Sequence, residues 1–315
     1  MRILITGADG FIGSHLADFL SGRRAELYGI IHRKPVKNLG QLDKKIKLEV
    51  CDIKNRKKLS AIIRSVKPDY IFHMAAQSFV MPSWKDPAET FRSNIEGTAN
   101  LLESVREAGI NPVIVVACSS AEYGLNYENE IPIKETKEFR PSSPYAVSKV
   151  GTDMVCYMYW LAYGMKIIRA RIFNTIGPRK TGSAVADFGM AIAEAERLNK
   201  NSISAGRLDS VVDFTDVRDN VKALWLLAEN GKYGESYNIC TGKGHKIGDV
   251  LDKMLSYSNR KLKVTVDKRK FRPKEDPVFI GDNTKIKKIG WAPEIPIEKT
   301  LKDTIDYWRK IKFER

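Results

Sequence analysis

The sequence predicts an α/β protein built on a doubly wound parallel sheet, with a smaller mixed α/β part towards the C-terminus. Three observations carry that expectation. Short runs rich in Ile and Val recur at 3–6, 27–32, 46–52, 70–75, 112–119 and 166–173, and again at 236–240. Continuous apolar runs of this length suit strands covered on both faces. Helical patterns at 14–21, 57–66, 88–108 and 145–163 separate them, and such alternation closes into a parallel sheet through crossover helices. The first run also passes straight into a glycine-rich turn and a helix.

After Gly177-Pro178 the pattern loosens, and helices are expected at 184–197, 216–228 (with Asp216 as an acidic cap), 247–256 and 297–310. The expected partition assigns 1–175 to a dinucleotide-binding domain, to which the chain returns at about 211–240. Residues 176–210 and 241–315 are assigned mainly to a substrate-binding domain. There is no internal repeat, low-complexity stretch or long linker.

Composition narrows the function classes. Of 315 residues, 43% are hydrophobic and 29% charged, enough for a sizeable core and too apolar for global disorder. The net charge of +15 raises nucleic acid, a membrane surface or a polyanionic small molecule as partners. The basic runs are scattered, as at Lys44-Lys45, Arg56-Lys57-Lys58 and Lys287-Lys288, without aromatic ladders or zinc-finger spacing. Solvated surface lysine is the plainer reading, and no nucleic-acid partner is expected. Cysteines 51, 118, 156 and 240 lack CxxC spacing, so buried reduced thiols are expected and no metal. With no run of about 18 apolar residues and no signal-like n-region, no membrane association and a cytoplasmic location are expected.

The glycine turn reads Thr6-Gly7-Ala8-Asp9-Gly10-Phe11-Ile12-Gly13. Gly7 suits a tight turn, Gly10 a close backbone approach to a pyrophosphate and Gly13 close helix–strand packing. Free amides at the following helix N-terminus would hold the pyrophosphate, which makes this a Rossmann-type dinucleotide site. An acid often follows about 20 residues after the third glycine when the cofactor is NAD. Here His32-Arg33-Lys34 stands instead. Arginine accepts a 2′-phosphate that a carboxylate would repel, so NADP(H) is preferred and NAD(H) remains possible. Asp52-Ile53 either borders the adenine or begins a helix as a cap.

Tyr145-Ala146-Val147-Ser148-Lys149 places tyrosine and lysine one helical turn apart on one face. The ammonium charge favours ionisation of the phenol and so makes it a usable acid/base. Ser119, in Ala117-Cys118-Ser119-Ser120-Ala121-Glu122-Tyr123-Gly124, sits where a strand end would orient a substrate oxygen.

With these motifs the sequence resembles the extended short-chain dehydrogenases that act on nucleotide sugars. The resemblance spans nearly the whole chain. It includes His73-Met74-Ala75-Ala76-Gln77-Ser78, Asn94-Ile95-Glu96-Gly97-Thr98, Arg171 to Pro178, Asp213-Phe214-Thr215-Asp216-Val217-Arg218-Asp219, Arg272-Pro273-Lys274-Glu275 and Gly290-Trp291. It is strongest to the branch that forms and reduces GDP-4-keto-6-deoxy-hexoses. The resemblance implies Ser119, Tyr145 and Lys149 as the catalytic set, with Lys149 also on the nicotinamide ribose. It implies Ala75, Ala76, Gln77 and Asn94 near the cofactor. It also implies Ser78, Ser120, Ala121 and Asn174 near the sugar diphosphate, and Arg272 with Glu275 at the nucleotide end.

Two positions depart from the family pattern. Dehydratases of the branch carry a glutamate, as base for removing water, where this chain has Ala121. Glu122 is one place along and, in a strand, would face the other way. Many relatives have a phosphate-binding arginine at the position of Val212, for which Arg179, Lys180 or Arg207 would have to compensate. The expected activity is therefore NADPH-dependent 4-keto reduction of a GDP-4-keto-6-deoxy-hexose. The alternatives are a dehydratase or 4-epimerase that recycles its cofactor, and a non-catalytic dinucleotide sensor. A homodimer through a four-helix interface of 88–108 and 145–163 is implied. His73 reads as a packed core histidine, and Trp84, Trp160, Trp225 and Trp291 as core or dimer contacts. Asn94 would close a helix start or bond across the sheet.

Overall fold

The computed structural model describes residues 1–34, 38, 45–271 and 278–311. Seven strands form one parallel sheet: β1 Arg2–Thr6, β2 Glu26–Ile31, β3 Ile46–Val50, β4 Tyr70–His73, β5 Val113–Ser119, β6 Ile167–Ile172 and, late in the chain, β10 Ser236–Ile239. Their order is β10-β6-β5-β4-β1-β2-β3, with β1 central to the nucleotide half. Alternate side chains leave opposite faces of each strand. Ile3, Ile5, Phe72 and Val115 join one core cluster, whereas Leu4, Ile71, Ile114 and Val116 join the other.

Helices cover both faces. On the first lie α1 Phe11–Leu20 and α8 Val217–Asn230, through Leu16, Leu20, Leu224 and Trp225. On the second lie α2 Arg56–Val66, α5 Gly97–Glu107 and α6 Pro144–Tyr163, through Leu59, Ile63, Leu101, Val105 and Cys156. The four cysteines are buried and unpaired.

The segment expected as one helix over 88–108 is helical but not uniformly α-helical. α3 Val80–Lys85 and α4 Pro87–Phe91 lead into a π-helical turn at Arg92–Glu96, and only then does α5 begin. The wide turn is centred on Asn94, whose side chain is bonded outside the helix to Gln77 and Ser148. Such turns form where tertiary bonds outweigh the regular helical ladder.

The C-terminal part contains α7 Ala184–Arg197, α9 Ile247–Leu255, α10 Thr284–Lys287 and α11 Ile297–Lys310. Its core joins Phe188, Ile192, Leu251, Met254, Leu301 and Ile305. A small sheet unites β7 Asn174–Ile176, β9 Val211–Asp216, β11 Gly244–Lys246 and β13 Val278–Phe279, and β8 Ser202–Ala205 pairs with β12 Lys263–Val266. β9 stands in the small sheet, so the return to the large sheet expected at about 211 begins with α8. Trp291 and Ile286 pack against the large sheet's core, and Trp291 Nε1 donates to the Asp219 carbonyl at 3.0 Å. Buried Asp213 accepts from the Thr241 amide and hydroxyl and from the Gly242 amide, at 2.6–2.9 Å. The acidic run at 213–219 is thus a tether between the two parts.

Candidate active site

One cleft of about 1320 Å³ runs along the C-terminal edge of the large sheet. That exceeds the roughly 300–1,000 Å³ usual for one drug-sized ligand and leaves room for two extended molecules.

The cofactor end begins at the glycine turn. Gly7 has φ of +67°, and its amide donates to the Ile30 carbonyl at 2.8 Å. A Cβ at Gly13 would lie 2.1 Å from the Gly7 carbonyl oxygen, and one at Gly7 would lie 2.9 Å from the Ala75 backbone. No side chain caps α1, so the first amides and the positive helix end are open to an anion. Asp9, Gly10, Phe11 and Ile12 line the cleft here. This shape fits a dinucleotide pyrophosphate. Gly13→Ala is expected to abolish dinucleotide binding, because backbone would have to yield to the new methyl; titration of protein fluorescence with NADPH measures it.

At the far end of the same wall, His32, Arg33, Asp52 and Ile53 line the cleft. Asp52 does not cap α2. Asn55 does, accepting from the Lys58 amide at 3.1 Å. The Asp52 carboxylate instead sits 3.6 Å from His32 Nε2 and 3.6 Å from Lys54 Nζ, and the Lys54 charge offsets its repulsion of a phosphate.

Ser119, Tyr145 and Lys149 all line this cleft. Tyr145 is the second residue of α6, a helix started by Ser143 as N-cap and Pro144. Its amide donates to Ser83 Oγ at 3.1 Å. One turn on, Lys149 is buried and its Nζ donates to the Ala117 carbonyl at 2.7 Å. Ser119 ends β5, and its Oγ accepts from the Ala121 amide at 3.2 Å.

The strand stops at Ser119, as expected for 112–119, and Ser120–Tyr123 form a 3-10 turn, so Glu122 does not stand in a strand. Ser120 and Ala121 reach the cleft wall, whereas Glu122 turns into the interior. There its Oε1 accepts from the Ser119 amide at 2.6 Å and its Oε2 lies 3.4 Å from Arg171 Nε. Burial, with Asp153 nearby, raises the Glu122 pKa well above the carboxylate range. Cys118, Glu122 and Asp153 bring ligand-type atoms within 4.8 Å of one another, but Arg169 and Arg171 both bond Asp153. The group is an ion-pair knot.

Towards the C-terminal part, Ser78, Asn174, Lys180, Arg207 and Val212 line the cleft. Two expectations need correction. Arg179, at φ of +71°, is turned onto α1, with its Nη1 2.6 Å from Asp18 and 3.2 Å from Ser14 Oγ. It is not on the cleft wall, and the neighbouring Lys180 is. Asn94 also stands behind the wall: its Oδ1 accepts from the Gln77 amide at 2.8 Å, and its Nδ2 donates to the Gln77 carbonyl and Ser148 Oγ. It holds the Ala75, Ala76 and Gln77 stretch, which does line the cleft. Arg272 and Glu275 lie outside the described residues.

Sequence reasoning missed the apolar lip on α3. Phe79, Met81 and Trp84 line the cleft and are exposed, so Trp84 is a core residue in no sense. Trp225 and Trp291 are in the core. The signal was Phe79-Val80-Met81-Pro82-Ser83-Trp84, four apolar residues interrupted by Pro82 and Ser83, too short for a helical period to show.

A family model described as GDP-mannose 4,6 dehydratase matches residues 4–304. The chain is 29% identical to the GDP-6-deoxy-D-mannose reductase of Pseudomonas aeruginosa, covering 98% of this chain and 97% of that protein. Among solved structures it matches RMD from Pseudomonas aeruginosa complexed with NADPH, with a TM-score of 0.85 and 27% identity over 98% and 99% of the two chains. It also matches UDP-glucose 4-epimerase from Thermotoga maritima with UDP-glucose, with a TM-score of 0.91 and 28% identity over 98% and 99%.

Proposed function

The chain belongs to the GDP-mannose 4,6 dehydratase family, and on that premise we propose that it reduces the 4-keto group of a GDP-4-keto-6-deoxy-hexose with NADPH. It is an NAD(P)-dependent enzyme of the extended short-chain dehydrogenase type. The observation that carries the finer reading is the turn after β5. Ala121 occupies the cleft wall, and the only carboxylate of that turn, Glu122, faces the interior. A methyl group cannot remove a proton from C5, so the turn lacks a base for dehydration. The likeness to a GDP-6-deoxy-D-mannose reductase supports the same choice.

In this reading the nicotinamide, when bound, supplies the hydride to C4. Tyr145 gives its phenolic proton to the C4 oxygen as charge builds there. Lys149, fixed by the Ala117 carbonyl, favours the phenolate that remains. Ser119 donates to the same oxygen and orients it. Lys180 and Arg207 offer the positive charge for the diphosphate that Val212 does not. A cytoplasmic location belongs to the same reading, since both ligands are soluble and charged.

Incubation with NADPH and GDP-4-keto-6-deoxymannose tests the proposal: equimolar NADPH loss is expected, with GDP-mannose left unchanged. Dehydration of GDP-mannose without net cofactor loss would contradict it.

Arg33→Asp is expected to raise the KM for NADPH by tenfold or more, on the order of one charge-assisted phosphate contact, and to lower that for NADH. Steady-state kinetics with both cofactors reads the exchange.

We further propose a homodimer through α6. Val147, Met154, Met158 and Leu161 form an exposed apolar stripe on that helix, and contiguous patches of this kind mark interfaces. Leu161→Arg is expected to yield monomers in sedimentation at concentrations where the native protein is dimeric.

A further inference from the structure

We propose that His73 is a positioning residue: a neutral imidazole, protonated on Nε2, that joins the glycine-turn strand to the catalytic helix through two runs of buried hydrogen bonds that meet at Asn94. The first run starts where β1 and β4 lie in register, with Thr6 opposite His73. His73 Nδ1 is 2.7 Å from Thr6 Oγ1, and its Nε2 is 3.0 Å from Thr98 Oγ1.

Proton directions follow from counting donors. A threonine hydroxyl has one proton to give. Thr98 gives its proton to the Asn94 carbonyl at 2.6 Å, because a carbonyl only accepts. Thr98 Oγ1 therefore accepts from His73, and the ring proton sits on Nε2. Burial, with the Lys149 charge nearby, pushes the His73 pKa down to about 3, so the ring is neutral and Nδ1 is an acceptor. Thr6 donates to Nδ1 and itself accepts from the Ala75 amide at 3.2 Å.

Beyond Thr98 the first run ends on the Asn94 carbonyl, and the second starts from the Asn94 side chain. Its Oδ1 accepts from the Gln77 amide, and its Nδ2 donates to Ser148 Oγ at 2.8 Å. Ser148 donates in turn to the Tyr145 carbonyl at 2.7 Å. The side chains of Thr6, His73, Asn94, Thr98 and Ser148 are all buried. Each end of the joined runs is a cleft wall: Ala75 to Gln77 on the cofactor side, Tyr145 on the reacting side. Every donor and acceptor named has one assigned role, so the ring fixes the spacing between the two walls. Without it, the Thr6 and Thr98 hydroxyls each lose a partner in the interior, and Thr6, which accepts from the Ala75 amide, is no longer held by the ring.

The turnover arm of this inference rests on the proposed role of Tyr145; cofactor binding and tautomer do not. Three variants divide the links. His73→Gln keeps a donor for Thr98, His73→Asn keeps an acceptor for Thr6, and His73→Phe keeps neither. His73→Phe is expected to raise the NADPH Kd about tenfold, the scale of one or two unsatisfied buried groups, with a matching loss in kcat and partial recovery in the Asn and Gln variants. Thr98→Val, which keeps the volume, is expected to shift Kd in the same direction, and it serves if His73→Phe does not fold. In ¹⁵N-histidine protein, which has four histidines, NMR should show one ring with a protonated Nε2 and a bare Nδ1. A protonated Nδ1, a cationic ring at neutral pH, or variants that lose thermal stability while keeping native Kd and kcat would overturn the proposal. A normal tautomer and Kd shift without any sugar turnover would leave it standing and count against the proposed function instead.

Discussion

Tyr145→Phe is expected to lower turnover by about 10³-fold, within the roughly 10²–10⁴-fold contribution of a positioned general acid, while dinucleotide affinity stays near native. The substitution removes one oxygen. The aromatic ring, the amide bond to Ser83 and the bond from Lys149 to the Ala117 carbonyl all remain. The glycine turn that fits a pyrophosphate is held by backbone bonds to Ile30, which the substitution leaves in place. Single-turnover rates and NADPH titration on the same protein separate the two effects. Turnover close to native would remove Tyr145 from the mechanism.

The largest stability loss is expected at Asp153. Its carboxylate is fully buried and serves two arginines: Arg169, and Arg171 at 2.9 Å from Nε. Both arginines are themselves buried on β6. Arg171 has further acceptors in Tyr123 Oη and the Glu135 carbonyl, and Arg169 has the Gly234 carbonyl. Asp153→Ala would leave two buried cations without their shared carboxylate, with Glu122 Oε2 3.4 Å from Arg171 Nε. Removing one partner from a buried ion pair costs about 3–5 kcal/mol, and urea unfolding should show a loss of that size. Asp153→Asn should lose less, since it retains an acceptor oxygen. Because Asp153 lies on the same helix as Tyr145 and Lys149, activity near the midpoint should fall with the folded fraction.

The large sheet was legible because its strands are continuous apolar runs and the helices between them carry clear periods. In the C-terminal part the helices α7, α9 and α11 were legible and the short strands were not. β7, β11 and β13 span three, three and two residues, too few for any pattern, and they exist only because β9 offers edges to them. The π-helical turn at Asn94 was invisible for a related reason: Gln77 and Ser148, far away in sequence, create it. Site residues followed the same division. Residues placed by a local motif, such as Gly13 before α1 or Lys149 one turn after Tyr145, stand where the motif required. Arg179 was chosen for its charge and its place after Gly177-Pro178. A left-handed backbone turns it onto Asp18 instead, and no sequence period reports that turn. Glu122 faces inward through a 3-10 turn that follows the strand end at Ser119, and not through the alternation of a strand.

The central claim is that hydride leaves the added cofactor and stays on the sugar. NADPH deuterated at the transferable position, incubated with GDP-4-keto-6-deoxymannose, tests it directly. The account predicts a GDP-6-deoxy-hexose with a single deuterium at C4 and equimolar oxidised cofactor. A sugar product free of deuterium, formed with the added NADPH unconsumed, would contradict it and point to a cofactor recycled within each turnover.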